Sequence, residues 1–466
     1  MDVIALARIQ FAVTVAFHFI FPSITIGLAL LIAITETARW RTGREPYDRM
    51  ARFWTKLFAL TFVVGVATGI VMEFQFGTNW ARYSKFVGDI FGAPLAAEGV
   101  FAFFLESVFL GILLWGRDRV SSAVRTFSAW MVALGSTLSA FWIIVANSWM
   151  QTPAGFEVVG DKAVLTDFWA AVFNPSTLPR YFHTLSSSWV MGGFFMTGIA
   201  AWYLLKGRHL GVARMSIRLG LIVAFISSGL MFVTGDTSAR QVANTQPAKF
   251  AAMQALYSTT SGAPLTIWAL PPTQDPTKTV EGPEVTISRL LSFMTYGSFS
   301  APVTGLDQFA EDVWPPIAPT FLAYHNMVLL GILMFVLMVF GLWYLWRGRI
   351  ETHRGWLRLA VVAIPVPLIA IQLGWAAAEI GRQPWIVYDL MMTSKATSTV
   401  VSSTDILISL GLLVAAYAVL AVLWLYTLRQ EIAHGPEPAP PGSSDPAEAP
   451  LMADPGATPR PSPQAG

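Results

Sequence analysis

Residues 11–36 read FAVTVAFHFIFPSITIGLALLIAITE, a run in which only His18 and the closing Glu36 can carry charge. About 20 apolar residues in a helix cross the ~30 Å hydrocarbon core of a bilayer. Lipid offers no partner to a free peptide group, so such a segment spans as a helix. Comparable runs recur near 53–75, 94–115, 126–150, 182–205, 216–235, 319–345, 358–379 and 402–427. The pattern predicts an all-α, polytopic membrane bundle of about nine transmembrane helices. The first run is too long for a signal-peptide core and lacks a small-residue cleavage pattern, so it reads as an uncleaved span.

Composition agrees. Of 466 residues, 54% are hydrophobic and 12% charged, more apolar mass than one soluble core could bury. Lys and Arg number 30 against 28 Asp and Glu, a net charge of +2, too weak a field to draw a nucleic-acid backbone. There is no cysteine, which excludes disulfides, thiolate nucleophiles, Cys-ligated zinc, iron–sulfur clusters and covalently attached c-type heme. Redox chemistry in this chain would rest on His, Met or carboxylate ligands.

Basic residues in short connections set orientation. Arg39, Arg41, Arg44, Arg49 and Arg52 follow the first span, Arg117, Arg119 and Arg125 the third, Lys206, Arg208, Arg214 and Arg218 the fifth, and Arg347, Arg349, Arg354 and Arg358 the seventh. These loops read as cytoplasmic, with the N-terminus outside and the C-terminus inside. Four regions follow: spans one to six over 1–234, an outer loop over 235–318 as a candidate substrate segment, spans seven to nine over 319–430, and a tail over 431–466. Long ordered loops are more often functional than idle. The tail, with its Pro-Ala-Pro-Pro and Pro-Arg-Pro-Ser-Pro runs, reads as disordered. No internal repeat of the transporter kind is evident.

His209, His353 and His434 fall in inner connections or the tail and read as solvated. His18, His183 and His325 lie in or beside spans, where imidazole needs a partner and is a standard iron ligand. A lone His on an apolar helix is more often a hydrogen-bonded packing residue than a ligand, so only the constellation decides. Glu98, Glu106 and Glu379 are carboxylates at membrane depth, costly unless paired, protonated or metal-bound. Glu98 and Glu106, eight residues apart, stand about 80° and ~12 Å apart on a regular helix, a spacing for a proton relay or for two buried interhelical acids. By the predicted orientation His18, His183, His325, Met327 and Glu379 all lie in the outer half, while Glu106 lies deeper.

Several long motifs carry a resemblance. Gly77-Thr78-Asn79-Trp80, Gly88-Asp89-Ile90-Phe91-Gly92-Ala93-Pro94-Leu95 with Glu98, Phe103-Phe104-Leu105-Glu106-Ser107, and Gly374-Trp375, Glu379 and Gly381-Arg382-Gln383-Pro384-Trp385 resemble subunit I of the cytochrome bd-type quinol oxidases. The resemblance covers about 1–430, and the short outer loop is similar to the branch that includes cyanide-insensitive oxidases. It implies a terminal oxidase that oxidises membrane quinol outside and reduces dioxygen to water, separating charge without pumping. It also implies a heterodimer with subunit II, sometimes with a very small single-helix subunit. The implied cofactors are two b-type hemes, one low-spin and one high-spin, and heme d, with heme b in its place as an alternative. Ubiquinol and menaquinol both fit.

By the same resemblance His183 and Met327 match the axial ligands of the low-spin b heme, a pair in which the thioether favours reduced iron. His18 and Glu379 match ligands of the two high-spin hemes, in an order the resemblance leaves open. Glu98 and Glu106 match acids near that pair and its proton supply. Trp375 matches an aromatic between hemes. Arg8 and Arg382 are candidate propionate partners, and all three serve equally as anchors. Asp236 and the run Gln246–Met253 resemble the quinol-loop signature, with Lys249 at a position implicated in quinol binding.

Three departures stand out. Gln254 occupies a usually acidic position, and an amide cannot accept the quinol proton, so either another base, such as Asp236, serves or quinol affinity and its pH dependence are altered. His325 stands where Arg is common. Residues two apart on a helix point about 200° apart, so His325 and Met327 cannot both face one iron on a regular helix; Met327 is taken as ligand, with a bis-histidine heme as the alternative. Gln372 also replaces a commonly acidic residue. A transporter whose acids relay ions, and an oxidase with only b hemes, are the rival readings, and bound pigment separates all three.

Overall fold

The computed structural model describes residues 2–116, 119–270, 272–274 and 284–437. Among them, nine helical stretches are long and apolar enough to cross a membrane. The first comprises α1 (Val3–His18) and α2 (Ile20–Thr42), joined through Phe19. The join falls where Pro22, lacking an N–H, cannot bond to the carbonyl of His18 four residues back. The second is α3 (Glu45–Thr78). The third is α4 (Ala81–Ala97), a π-helical turn (Glu98–Phe103) and α5 (Phe104–Trp115) in succession. Next come α6 (Ser122–Gln151), β1 (Phe156–Val159) paired with β2 (Lys162–Leu165), the short α7 (Phe168–Val172), α8 (Thr177–Lys206) and α9 (Leu210–Thr245).

The segment between α9 and the next span follows with α10 (Pro247–Gln254), β3 (Thr260–Ser261), β4 (Leu265–Trp268), β5 (Val285–Ile287), α11 (Leu290–Tyr296) and β6 (Pro302–Val303). β3 pairs with β6 and β4 with β5, all antiparallel. α12 (Ile317–Trp346), the α13 (Arg354–Val362) and α14 (Val366–Ile380) pair, a β7 (Trp385–Val387) and β8 (Met391–Met392) hairpin, and α15 (Ser403–His434) complete the chain.

Two boundaries differ from the sequence-based regions. α9 continues ten residues past 235, because Asp236–Arg240 and Gln241–Thr245 pair at i,i+4 and stabilise polar turns that lie beyond the apolar run. α15 runs to His434, so residues 431–434 of the expected tail are helical. The Pro-rich stretch from 438 onward and Arg117 lie outside the described residues.

α8 is the central helix. Of its most apolar window 83% is buried, against 17% for α12 and for α15, which leaves those two with bare faces. It packs closest on α2 at Gly27, where a Cβ would come within 2.7 Å of the Gly192 backbone nitrogen. At the arginine-rich end, Arg125 from α6 reaches Glu36 at 2.5 Å and Asp48 at 3.1 Å, and Arg39 reaches Glu36 at 2.6 Å. The loops that the basic residues mark are thus cross-braced by ion pairs from their own neighbours.

Candidate functional site

Two histidines are each tied through Nδ1 to a threonine on a neighbouring helix, which leaves Nε2 as the ring nitrogen for a ligand. His18 Nδ1 lies 3.0 Å from Thr68 Oγ1 on α3, and His183 Nδ1 lies 3.2 Å from Thr234 Oγ1 on α9. Each threonine already donates its hydroxyl hydrogen within its own helix, Thr68 to Val64 O at 2.9 Å and Thr234 to Leu230 O at 3.1 Å. Toward the imidazole each oxygen can therefore only accept, so Nδ1 carries the hydrogen and Nε2 keeps the lone pair. His18 packs against Gly69, where a Cβ would stand 3.2 Å from its ring, and His183 packs against Gly235.

His325 is different. Its Nδ1 faces Phe321 O at 3.0 Å and its Nε2 faces Thr266 O at 3.0 Å, so both ring nitrogens are engaged by carbonyls and α12 is tied to β4. Met327, one turn from Tyr324, presents its sulfur to α14 at Gly374, where a Cβ would lie 2.8 Å from Sδ. α12, which carries Met327, packs on α14 and on α9, the helix whose Thr234 holds His183. Gln372 on α14 donates to Ala16 O at 2.6 Å and so fixes α1 two residues before His18.

Glu98 and Glu106 flank the π-helical turn. That turn absorbs one residue more than an α-turn, about 100° of rotation, which cancels the ~80° expected from a regular helix. Both acids consequently face α6. Glu98 Oε1 accepts from Ser139 Oγ at 2.7 Å, and Glu106, 6% exposed, accepts from Ser136 Oγ. The two serines are themselves one turn apart. Gly135 permits the approach, since a Cβ there would be 2.9 Å from Glu106 Cβ.

Glu379 sits in a dense donor set. Asn147 Nδ2 and Gln151 Nε2 each donate to Oε1 at 3.2 Å, Arg180 lies 3.9 Å away, and Arg382 pairs with Oε2. Arg382 is 4% exposed, yet its Nε and Nη1 have no hydrogen-bond partner among the described residues. Lys249 on α10 joins the same network, donating to Gln151 Oε1 at 3.0 Å and Gln246 Oε1 at 3.2 Å. It is 4% exposed, and burial first, then the nearby Arg180, hold its ammonium well below the usual lysine pKa.

The remaining candidates are scattered. Asp236 pairs with Arg240 at 2.7 Å on the extended end of α9. Gln254 closes α10, 6% exposed, with its Oε1 unpartnered among the described residues. Trp375 is half-buried on α14. Arg8 is exposed and lines a cavity of about 260 Å³ with Ile4, Trp314, Gln383 and Pro384. Two residues escaped the sequence reading. Glu73, a carboxylate within an apolar run, lies one turn from Gly69 and within electrostatic reach of Glu98. Arg180, one turn before His183, faces Glu379. An ionisable residue inside or bordering a span was the signal in both.

Among the described residues no three His, Cys, Asp or Glu side chains gather as a free ion would require. Single ligands suit an iron whose equatorial positions a macrocycle fills. The Nε2 lone pairs of His18 and His183, the thioether of Met327 and the orphaned guanidinium of Arg382 fit such a group with its carboxylate arms.

Comparison with known proteins agrees. A sequence profile of the family described as cytochrome bd terminal oxidase subunit I matches residues 6–436. The chain is 37% identical to the cytochrome bd ubiquinol oxidase subunit 1 of Bacillus subtilis (strain 168), across 94% of this chain and 95% of that protein. It is 35% identical to the cytochrome bd-II ubiquinol oxidase subunit 1 of Escherichia coli (strain K12), across 93% and 97%. Its fold is similar to the bd oxidase from Geobacillus thermodenitrificans, with a TM-score of 0.86 at 32% identity over 93% of this chain and 99% of that one.

Proposed function

The chain belongs to the subunit I family of the cytochrome bd terminal oxidases, and from that premise we propose that it is the heme-bearing subunit of a quinol oxidase that oxidises membrane quinol at the outer face and reduces dioxygen to water. It is a multi-pass protein of the bacterial cytoplasmic membrane. The observation that carries the reading is the paired tautomer lock, His18 on Thr68 and His183 on Thr234, which aims two imidazole lone pairs away from the protein's own hydrogen bonds. Fixing a ligating imidazole through its other nitrogen is how proteins orient metal ligands.

In this reading His183 and Met327 hold a low-spin b heme, and His18 and Glu379 hold the two high-spin hemes, b and d, with heme b replacing d as the nearer alternative. When bound, these groups supply one-electron transfer and the iron that takes dioxygen. Glu106 and Glu98 hold the protons that water formation consumes, with Ser136 and Ser139 orienting them. They deliver protons from the inner side, while quinol protons leave outside, so charge separates without a pump. At the outer segment the free Gln254 Oε1 accepts a hydrogen bond from the quinol hydroxyl but cannot take its proton. Asp236, held by Arg240, is the carboxylate that does. The N-terminus lies outside and the C-terminus inside. Subunit II covers apolar faces left bare here, such as Ile70 and Phe74, Phe101 and Phe104, and Leu412 and Val419, with a small single-helix subunit as a further partner.

The test is His183→Ala in the purified complex. Loss of the low-spin b signal with the high-spin signals kept is expected; a normal low-spin signal would remove His183 from the site.

A further inference from the structure

α1, α3 and α15 pack on one another and share a polar seam. Gln10, Thr14 and His18 follow at one-turn intervals along α1, and Thr68, Gln75 and Asn79 share a face of α3. The two helices meet in three rungs: His18 with Thr68, Thr14 with Gln75 Nε2, and Gln10 Oε1 with Asn79 Nδ2 at 2.9 Å. Ser409 on α15 donates to the same Gln10 Oε1 at 3.2 Å. Gln10, Thr14, Gln75 and Asn79 are all buried. Polar groups at such depth cost several kcal/mol unless they are paired. The middle rung is incompletely paired, because Gln75 Oε1 and the Tyr417 hydroxyl of α15 have no hydrogen-bond partner among the described residues. Both groups lie at Thr14. Thr14 Oγ1 donates to Gln10 O at 2.8 Å and accepts from Gln75, so it keeps one lone pair.

We infer that α1, α3 and α15 enclose a line of water that starts at the His18 site, passes the middle rung and carries product water to the surface of the subunit. The inference rests on the proposed oxygen-reducing function, which forms water at the high-spin site to which His18 belongs. A buried water takes about three polar partners, and Gln75 Oε1, the Tyr417 hydroxyl and the remaining lone pair of Thr14 supply that number. Gln10, Thr14, Gln75, Asn79, Ser409 and Tyr417 carry no carboxylate or amine among them, so the seam passes water without storing protons as Glu98 and Glu106 do. Tyr417 is held in place by stacking on Phe17, with ring centroids 4.3 Å apart. At the far end Ser398 donates from its backbone to Asn79 O at 2.9 Å and from its hydroxyl to Thr78 O. Thr78 and Val400 there are exposed, so the seam ends at the surface.

The experiment is millisecond hydroxyl-radical labelling of the whole purified complex in ¹⁸O-labelled water, read by mass spectrometry. Radicals made from a bound water mark the side chains that touch it, buried or not. Tyr417, 4% exposed, should take the ¹⁸O label, whereas Tyr83, 2% exposed and bonded to Met150 Sδ at 3.0 Å, should not. In Gln75→Leu and in Thr14→Val the Tyr417 label should drop to the Tyr83 level, and turnover should fall severalfold at unchanged heme content and quinol KM. A wild-type Tyr417 as unlabelled as Tyr83 would overturn the inference and leave the two orphaned groups bonded to each other. Label that persists in both variants, or label lost with full turnover kept, would overturn the route. If Gln75→Leu does not assemble, Thr14→Val and the contrast between the two wild-type tyrosines still decide. A wild-type complex without high-spin heme would instead overturn the functional reading, which the Tyr417 label does not depend on.

Discussion

The hydroxyl hydrogens of Thr68 and Thr234 point into their own helices, so the oxygens left to His18 and His183 act only as acceptors. Thr234→Val removes that acceptor at nearly constant volume. Low-spin heme affinity should fall on the order of 10–100-fold, as for other outer partners of ligating histidines, measured as heme retained after detergent dilution. Thr68→Val should weaken a high-spin heme alike; unchanged retention in both would show that the tautomer lock does not matter. Met327 and His325 separate in the same way. Met327→Ala should convert the low-spin heme to high spin, and His325→Ala, whose two nitrogens already face carbonyls, should leave it low-spin. His18, His183, Glu98, Glu106 and Glu379 stand out in the sequence as polar groups in or beside apolar runs, although Glu73, another such carboxylate, was passed over. Arg180 and the two threonines do not stand out, since their meaning comes from a neighbouring helix far away in sequence.

Between Glu98 and Glu106 the helix widens, and the relation between the two acids depends on that π turn rather than on their spacing. Gly135→Ala tests it. The new methyl would press on Glu106 Cβ and, at 3.1 Å, on Ala102 O, pushing α5 and the π turn off α6 at a cost of about 1–3 kcal/mol. Both serine contacts should loosen, lowering turnover more than heme content; turnover that tracks heme content would place the acids outside the proton route. The nine spans were readable because roughly 20 apolar residues in lipid leave the backbone no other choice. The π turn was not, because period arithmetic assumes a regular helix. Nor was the extension of α9, which rests on polar i,i+4 pairs.

For the molecule as a whole, the bare apolar faces call for a partner, and the arginine-rich end is closed by the start of the C-terminal segment. Tyr203 donates to Ile432 O at 2.7 Å, Arg208 to Ala433 O at 2.9 Å and Arg49 to Glu437 O at 2.7 Å. His209 packs on Gly435 there, its Nε2 without a partner among the described residues. Burial first, then Arg208 and Arg49, lower the pKa of this imidazole. Its unfolded value lies near 6.5, so docking should be complete above that pH and weaken as pH falls through the lower, folded value. Hydrogen exchange of residues 432–437 should rise on acidification, and His209→Gln should flatten the response; a flat wild-type profile would refute this. The central claim, that the chain carries hemes, is tested most directly by a reduced-minus-oxidised visible spectrum of the purified complex with its extracted pigments identified. Signals of b heme together with a chlorin are predicted; b heme alone would remove heme d, and a well-folded complex without heme would contradict the account.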